Sequence, residues 1–437
     1  MSIVQGVMLL EQAKKPISLF TVNTFPPIEG GVQQYLYDIC SGMKNTGVYV
    51  LAPSVDEGKE REFDSRQSFE IVRLKPEGAR FGIFSSVLKL QMALAPLYRS
   101  ASKGSRFKLL QVILGSLRYR YIWGNVVSSV KVIMGKGSDS RIELTHAGYI
   151  LPCGVLSYIL KNLFGIPYIL YTYGKELFLW EEEVVSRLLM REVLKEADRV
   201  VTISDFTRKK LLELGVPGDK TFMLYPVINR DRLESSADGD PDELRKRYNL
   251  KGKKVILTIA HLVERKGQDM VIRAMPEIIE KNPDAVYVIG GRGPMEPRLK
   301  ELASNLGVSE NVRFIGLVPD DEISLHYRMC DVFTMVSRRI GSDVEGFGIV
   351  YLEAGYWGKP VVAGRSGGVE DAVLDGETGI LVGPESPQEI SKAIIRLLDS
   401  GELREKLGVA GRDRVLKEFT FNPGEKVEEL SRRILLR

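Results

Sequence analysis

The sequence predicts an α/β protein built from two Rossmann-like halves, each a doubly wound parallel sheet, facing each other across a cleft. Three observations lead there. Short, β-branched, continuously apolar runs recur along the 437 residues: ISLFTVN, VYVLAP, FEIVRL, IELTHA, YILYTY, RVVTIS, KTFMLYP, KVILTIA, AVYVIGG, VRFIGLV, DVFTMVS, PVVAG and GILVG. Runs of this kind suit strands buried on both faces. Helical stretches such as VQQYLYDICSGMKN and GQDMVIRAMPEIIEKN separate most of them, as parallel strands with right-handed crossovers require. A polar linker within YPVINRDRLESSADGDPDELRKRYNLKGKK precedes KVILTIA, where a second sheet restarts. The expected halves are residues 1–227 and 228–415. Residues 416–437 carry a separate amphipathic helix in FNPGEKVEELSRRILLR.

Composition narrows the function. Hydrophobic residues make up 44% and charged residues 27%, a globular balance with ample core. A net charge of +4 is too small to argue for nucleic-acid binding. The cysteines, Cys40, Cys153 and Cys330, are few, odd in number and far apart, and read as reduced thiols of a cytoplasmic protein. Histidines stop at His146, His261 and His326, so no His-rich metal site is expected. MSIVQGVMLLEQAKKP lacks a basic n-region, so no secretory signal is expected. The longest apolar run, GVLSYILKNLFGIPYILYTYG, is broken by Lys161, Asn162, Gly165 and Pro167, too often for a membrane span. Residues 78–138 contain ten basic residues and no acid, interleaved with apolar and aromatic side chains. That insertion reads either as a solvated helical pair or as a basic amphipathic surface for the cytosolic face of an anionic membrane.

Ligands of doubly wound sheets bind beyond the carboxyl ends of the strands, so chemistry is sought in the loops that follow them. In TVNTFPPIEGGVQQYL, Gly30 and Gly31 open a helix where a backbone can approach an anion. In IELTHAGYILPCG, His146 is expected to follow a strand and face the cleft. In TIAHLVERKGQDMVI, Arg265 and Lys266 precede a helix, a fork and a point charge suited to a diphosphate. VYVIGGRGPMEPRL places Gly291 after a strand but carries no dinucleotide fingerprint. In VEGFGIVYLEAGYWGKPVVAG, Glu345 and Glu353 bracket seven residues that are apolar, glycine or tyrosine. Eight helical residues rise about 12 Å, comparable to the reach from the sugar of a nucleotide-sugar to its ribose. The amides of Phe347, Gly348 and Ile349 would then lie between the acids at a helix N-terminus.

The segment EGFGIVYLE resembles the Glu-x7-Glu motif of retaining glycosyltransferase family 4, whose fold is GT-B. PPIEGGVQQYL, THAGYILP, YTYGKEL, DRVVTISDFTRKKL, LVERKGQDMVIRAM, IGGRGPMEPRL, FIGLVPDDEI and SGGVEDAVLDGETGILV resemble that family's other segments, in its order. The match spans nearly the whole chain except about residues 55–140. The resemblance implies two facing Rossmann-like domains, a C-terminal helix that crosses back to the first, and a nucleotide-sugar donor such as a UDP-, GDP- or ADP-sugar. It also implies residue roles. Glu345 would bond donor-sugar hydroxyls and Glu353 the ribose. Phe347, Gly348 and Ile349 would offer backbone contacts. Lys266 would neutralise the leaving diphosphate, with Gly31 approaching it from the first domain. His146 would line the sugar site, and the main chain near Val318 would meet the base. Two departures stand out. Ala260-His261 occupies the place of the family's Gly-Arg, so His261 or Arg265 must supply the second cation. Tyr173 stands where the family has a histidine.

The implied reaction is transfer of a hexose to a hydroxyl of a lipid-linked or polysaccharide glycan, by front-face substitution without a metal or other cofactor. The competing readings are a GT-B scaffold or binding protein weakened at Ala260-His261, and a sugar-nucleotide epimerase, which needs no acceptor.

Overall fold

The computed structural model describes residues 15–28, 30–74 and 142–436. The basic stretch 78–138 lies outside the described residues. The first sheet contains β1 (Ile17–Thr21), β2 (Gly47–Pro53), β3 (Glu70–Leu74), β4 (Ile142–Ala147), β5 (Tyr168–Thr172), β6 (Arg199–Thr202) and β7 (Thr221–Met223) in the order β3-β2-β1-β4-β5-β6-β7. The second contains β8 (Lys254–Ile259), β9 (Ala285–Gly290), β10 (Val312–Gly316), β11 (Val332–Met335), β12 (Val361–Gly364) and β13 (Gly379–Val382) in the order β10-β9-β8-β11-β12-β13. All pairings within both sheets are parallel. Each of the thirteen apolar runs holds one strand. Central strands are buried on both faces, as β5 and β9 are along their whole length, which explains their unbroken apolar patterning.

In each sheet the chain winds outward, returns beside its first strand and winds the other way. The reversals fall between β1 and β4 and between β8 and β11. Their carboxyl ends form the crevices where this architecture takes ligands. The loops that carried the sequence signals leave from these strands.

Several contacts tie the halves together. Tyr225, Phe347 and Phe419 form a triangle of rings with centroids 5.7–5.8 Å apart, and the Ile228 amide donates to the Phe419 carbonyl at 3.0 Å. Farther on, the helix Pro423–Leu435 packs on the helix Gly31–Gly42 of the first half. It buries Val427, Leu430 and Ile434. Asn422 caps it, accepting from the Gly424 amide at 2.9 Å, and donates to the Gly42 carbonyl at 3.2 Å. The Asn45 amide donates to Glu428 Oε1 at 2.6 Å. A Cβ on Gly424 would lie 2.2 Å from the Gly42 carbonyl carbon, so the two backbones touch. This is the crossing back of the C-terminal helix. No helix among the described residues is long and apolar enough to cross a membrane.

Candidate active site

The helix Ile349–Tyr356 begins just after a glycine in the left-handed region, Gly348 with φ 92°. A side chain there would be strained, and its Cβ would stand 2.4 Å from the Tyr351 ring. Tyr351 cannot yield easily, because its hydroxyl donates to the Met335 carbonyl at 2.6 Å. The Phe347 side chain goes into the ring triangle. The amides of Phe347, Gly348 and Ile349 find no acceptor among the described residues. They are orphan donors of a helix start, which favour an anion.

Glu345 lies at the base of this loop, 8% exposed. A single oxygen, Oε2, accepts from Arg265 Nη1 at 2.5 Å, Lys266 Nζ at 2.6 Å and Ser337 Oγ at 3.2 Å. Burial pushes the carboxyl pKa up, but the two cations overrule it and hold it down at about 2. Burial pulls the Lys266 pKa down, and Glu345 opposes that. The cations come from a single 3-10 turn, Glu264–Lys266, closed by Gly267 at φ 74°. A Cβ on Gly267 would meet the Val336 carbonyl at 2.2 Å, so only glycine lets the turn lie on the end of β11. Arg338 braces it, donating its own amide to the Arg265 carbonyl and forking onto Asp269 at 2.9 and 3.0 Å. Asp343 stands 3.3 Å from Arg265 Nε and 3.1 Å from Lys175 Nζ of the first half.

Glu353, inside the helix, is buried as its apolar neighbours require. Its Oε1 accepts from Arg232 at 2.9 Å and its Oε2 from Tyr327 at 2.7 Å. Arg232 also donates to Asp320 at 2.7 Å. These partners carried no sequence signal. Arg232 is 121 residues from Glu353, in a stretch that reads as linker. Ser337, Asp343, Tyr327 and Lys175 were equally invisible, because only the fold brings them near the acids.

The two halves meet beside Glu345 through glycine. A Cβ on Gly346 would fall 2.1 Å from the Tyr173 carbonyl, and Gly174 lies against the Gly346 Cα. On the other side a Cβ on Gly368 would fall 1.9 Å from the Gly346 carbonyl, while the Gly368 amide donates to the Glu345 carbonyl at 2.9 Å. Glu176 fixes the Tyr173–Gly174 turn by accepting from both amides.

Other expected residues fall as follows. Gly31 is exposed, and an added Cβ would meet nothing within 4 Å, so no packing within the protein demands a glycine there. Gly30 caps its helix. Val318 packs against Gly290 beyond β9 and β10. Gly291 is required by packing: a Cβ would meet the Ala260 carbonyl at 2.0 Å, and its amide donates to the Gly316 carbonyl. It is a packing glycine. His261 is exposed and its ring makes no hydrogen bond among the described residues, whereas Arg265 sits on Glu345. Of the two candidates, Arg265 is the one that stands beside Lys266 on Glu345.

His146 is a correction. It lies inside β4 and not after it, fully buried. Nδ1 pairs with the Tyr171 hydroxyl at 3.0 Å and Nε2 with Ser18 Oγ at 3.2 Å, and the ring stacks on Phe20 at 4.1 Å. Desolvation pushes its pKa down to about 3. It is a satisfied core histidine with no face toward the cleft. The run IELTHA coincides with β4, so His146 belongs to the strand that run marked and not to the loop after it.

Against known proteins, a sequence model of glycosyl transferases group 1 matches residues 240–414, and one of glycosyltransferase family 4 matches residues 29–232. A GDP-mannose-dependent alpha-(1-6)-phosphatidylinositol monomannoside mannosyltransferase of Mycolicibacterium smegmatis is 32% identical over 415 residues, 94% of this chain and 97% of that protein. A GDP-mannose-dependent monoacylated alpha-(1-6)-phosphatidylinositol monomannoside mannosyltransferase of Corynebacterium glutamicum is 28% identical, again over 94% and 97%. Among solved structures, Anabaena Alr3699/HepE in complex with UDP aligns at a TM-score of 0.73 over 96% of this chain and 100% of that one, at 17% identity, a likeness of fold. Fold and site define a GT-B glycosyltransferase. The chain belongs to glycosyltransferase family 4, the group 1 glycosyltransferases.

Proposed function

We propose that this protein is a retaining mannosyltransferase that uses GDP-mannose and extends a phosphatidylinositol-linked glycan. The observation that carries the donor and acceptor is the end-to-end similarity to the Mycolicibacterium enzyme, whose name states both. The site supports the reaction class. Lys266 and Arg265 meet the charge that develops on the leaving diphosphate, together with the orphan amides of Phe347, Gly348 and Ile349. Gly31 approaches the same diphosphate from the first half. Glu345 bonds sugar hydroxyls, Glu353 holds the ribose, and the main chain near Val318 meets the base. The acceptor hydroxyl attacks the anomeric carbon on the face the diphosphate leaves, and the departing phosphate takes its proton. This route needs no protein nucleophile and no metal.

The reading of a weakened scaffold rested on Ala260-His261, and Arg265 supplies the cation that pair lacks. An epimerase would release a nucleotide-sugar without an acceptor. Incubating the protein with GDP-mannose and a phosphatidylinositol monomannoside, and separately with UDP- and ADP-sugars, decides between these. A longer glycolipid whose new linkage keeps the donor's anomeric configuration is expected with GDP-mannose; its inversion would remove the front-face mechanism. For such an acceptor, the basic stretch 78–138 is proposed to rest on the anionic cytosolic membrane face. Exchanging Lys103, Lys108, Arg118 and Arg120 for Glu is expected to weaken binding to anionic vesicles, and unchanged binding removes that idea.

A further inference from the structure

The strongest unexplained feature of the site is that its diphosphate cations are already occupied. Arg265 and Lys266 converge on one oxygen of Glu345, with Ser337 Oγ adding a third bond to the same atom. Both cations are mostly enclosed, with side chains 16% and 14% exposed, and the carboxylate is 11% exposed. Yet Glu345 is also the residue whose place suits the donor sugar. While these bonds last, the carboxylate compensates the charge of both cations, leaving less of it for a phosphate.

We propose that Glu345 is an internal stand-in for the donor diphosphate, holding Arg265 and Lys266 in the resting site until the diphosphate displaces it. This rests on the donor-site reading above. The exchange has a defined order. A diphosphate takes over the cations, with the helix-start amides as additional donors. Glu345 Oε2 is then released and turns to the sugar hydroxyls. The sugar-binding carboxylate is thus freed only when the diphosphate is in place. A free sugar, which brings no phosphate, meets a carboxylate still locked by its cations. The lock favours intact donor over isolated sugar without any moving lid.

The charged groups facing Glu345 allow the exchange. Lys266 and Arg265 come from the turn after β8, Ser337 from the end of β11, and Asp343 from the same loop as Glu345. Lys175 reaches Asp343 from the first half, Arg338 is spent on Asp269, and Tyr351 donates to Met335. Once the cations move to phosphate, no other cation in this set bonds Glu345. Its affinity for a proton then rises, so binding is accompanied by proton uptake.

The test is isothermal titration of the full chain with GDP and, as a control, with guanosine, which lacks phosphate. In Glu345→Gln the stand-in charge is gone but the shape remains. GDP is expected to bind this variant about tenfold more tightly than wild type, the equivalent of one lost charge-assisted hydrogen bond. Guanosine should bind both alike. Asp343→Asn removes a charge of the same sign that pairs with Arg265 but makes no ion pair with Lys266, and should change GDP affinity far less. Wild-type binding at pH 5, measured in buffers of different ionisation enthalpy, should show proton uptake beyond that of Glu345→Gln. Should the variant not fold, wild type titrated with guanosine, which displaces nothing, is the reference for proton uptake. Equal GDP affinity in wild type and Glu345→Gln, equal tightening in Asp343→Asn, or no proton uptake by wild type beyond that reference would overturn the stand-in while leaving the donor site intact. A wild-type protein that binds none of GDP, UDP or ADP would overturn the donor site and the stand-in with it.

Discussion

Glu345 and Glu353 occupy one short segment but face different partners, so their loss should read differently. Glu353 is held by Arg232 and Tyr327 in a fixed orientation. Glu353→Ala removes the carboxylate proposed to hold the ribose and is expected to weaken nucleoside diphosphate binding about 10–100-fold. Glu345→Gln is expected to lower kcat about 100-fold or more while leaving donor binding intact or tighter. Steady-state kinetics with GDP-mannose separates the two. Wild-type turnover in both variants would sink the assignment of this segment. His146 makes a different prediction. Its pKa is depressed from 6.5 to about 3 in the folded protein, so the unfolded chain binds the extra proton between those values. Stability is therefore full above about pH 6.5 and falls as the pH drops toward 3. Thermal unfolding from pH 7 to 4 should show this decline, and His146→Gln, though less stable at pH 7, should show a flatter one. The acids, the lysine and the amides could be singled out because they lie in contiguous segments with fixed spacing. His146 misled because it stands next to the last residue of its strand, where sequence alone does not separate a buried strand position from the start of the loop. Arg232, Tyr327 and Ser337 were not legible, since nothing local links them to the acids.

At the scale of elements, the acid-bearing loop is clamped by backbone as well as by side chains. Gly346 lies between the Tyr173 carbonyl and Gly368, with no room for a Cβ on the first side. Gly346→Ala is expected to push the Tyr173–Gly174 turn away and displace Glu345. Activity should fall about 100-fold, as a displacement near 1 Å at a reacting site can cost. The melting temperature should move by only a few degrees, because each half keeps its own core. A large loss of stability with normal turnover in the surviving fraction would contradict this. Every strand was legible from its apolar run, because parallel strands are buried on both faces. The glycine clamp was not. A sequence shows that a residue lacks a Cβ, but not which distant carbonyl would meet one.

The whole molecule is two sheets joined through the rings of Tyr225, Phe347 and Phe419 and braced by the returning C-terminal helix. Phe347 belongs to both this junction and the loop of Glu345, so the seating of the halves and the shape of that loop are mechanically linked. Ending the chain after Asn422 removes Val427, Leu430 and Ile434 from their contact with the first half. Each such side chain contributes about 1.5–3 kcal/mol on burial. The shortened protein is expected to melt about 5 °C lower or more and to lose turnover. An unchanged melting temperature and rate would show the brace to be dispensable.

The central claim is that the carboxyl ends of β8 and β11 bind a nucleotide-sugar through its diphosphate. Calorimetric titration of the wild-type chain and of Lys266→Ala with GDP measures this directly. Saturable binding to the wild type, weakened about 100-fold in Lys266→Ala, is the result this account requires. Equal binding by both would place the diphosphate elsewhere and contradict it.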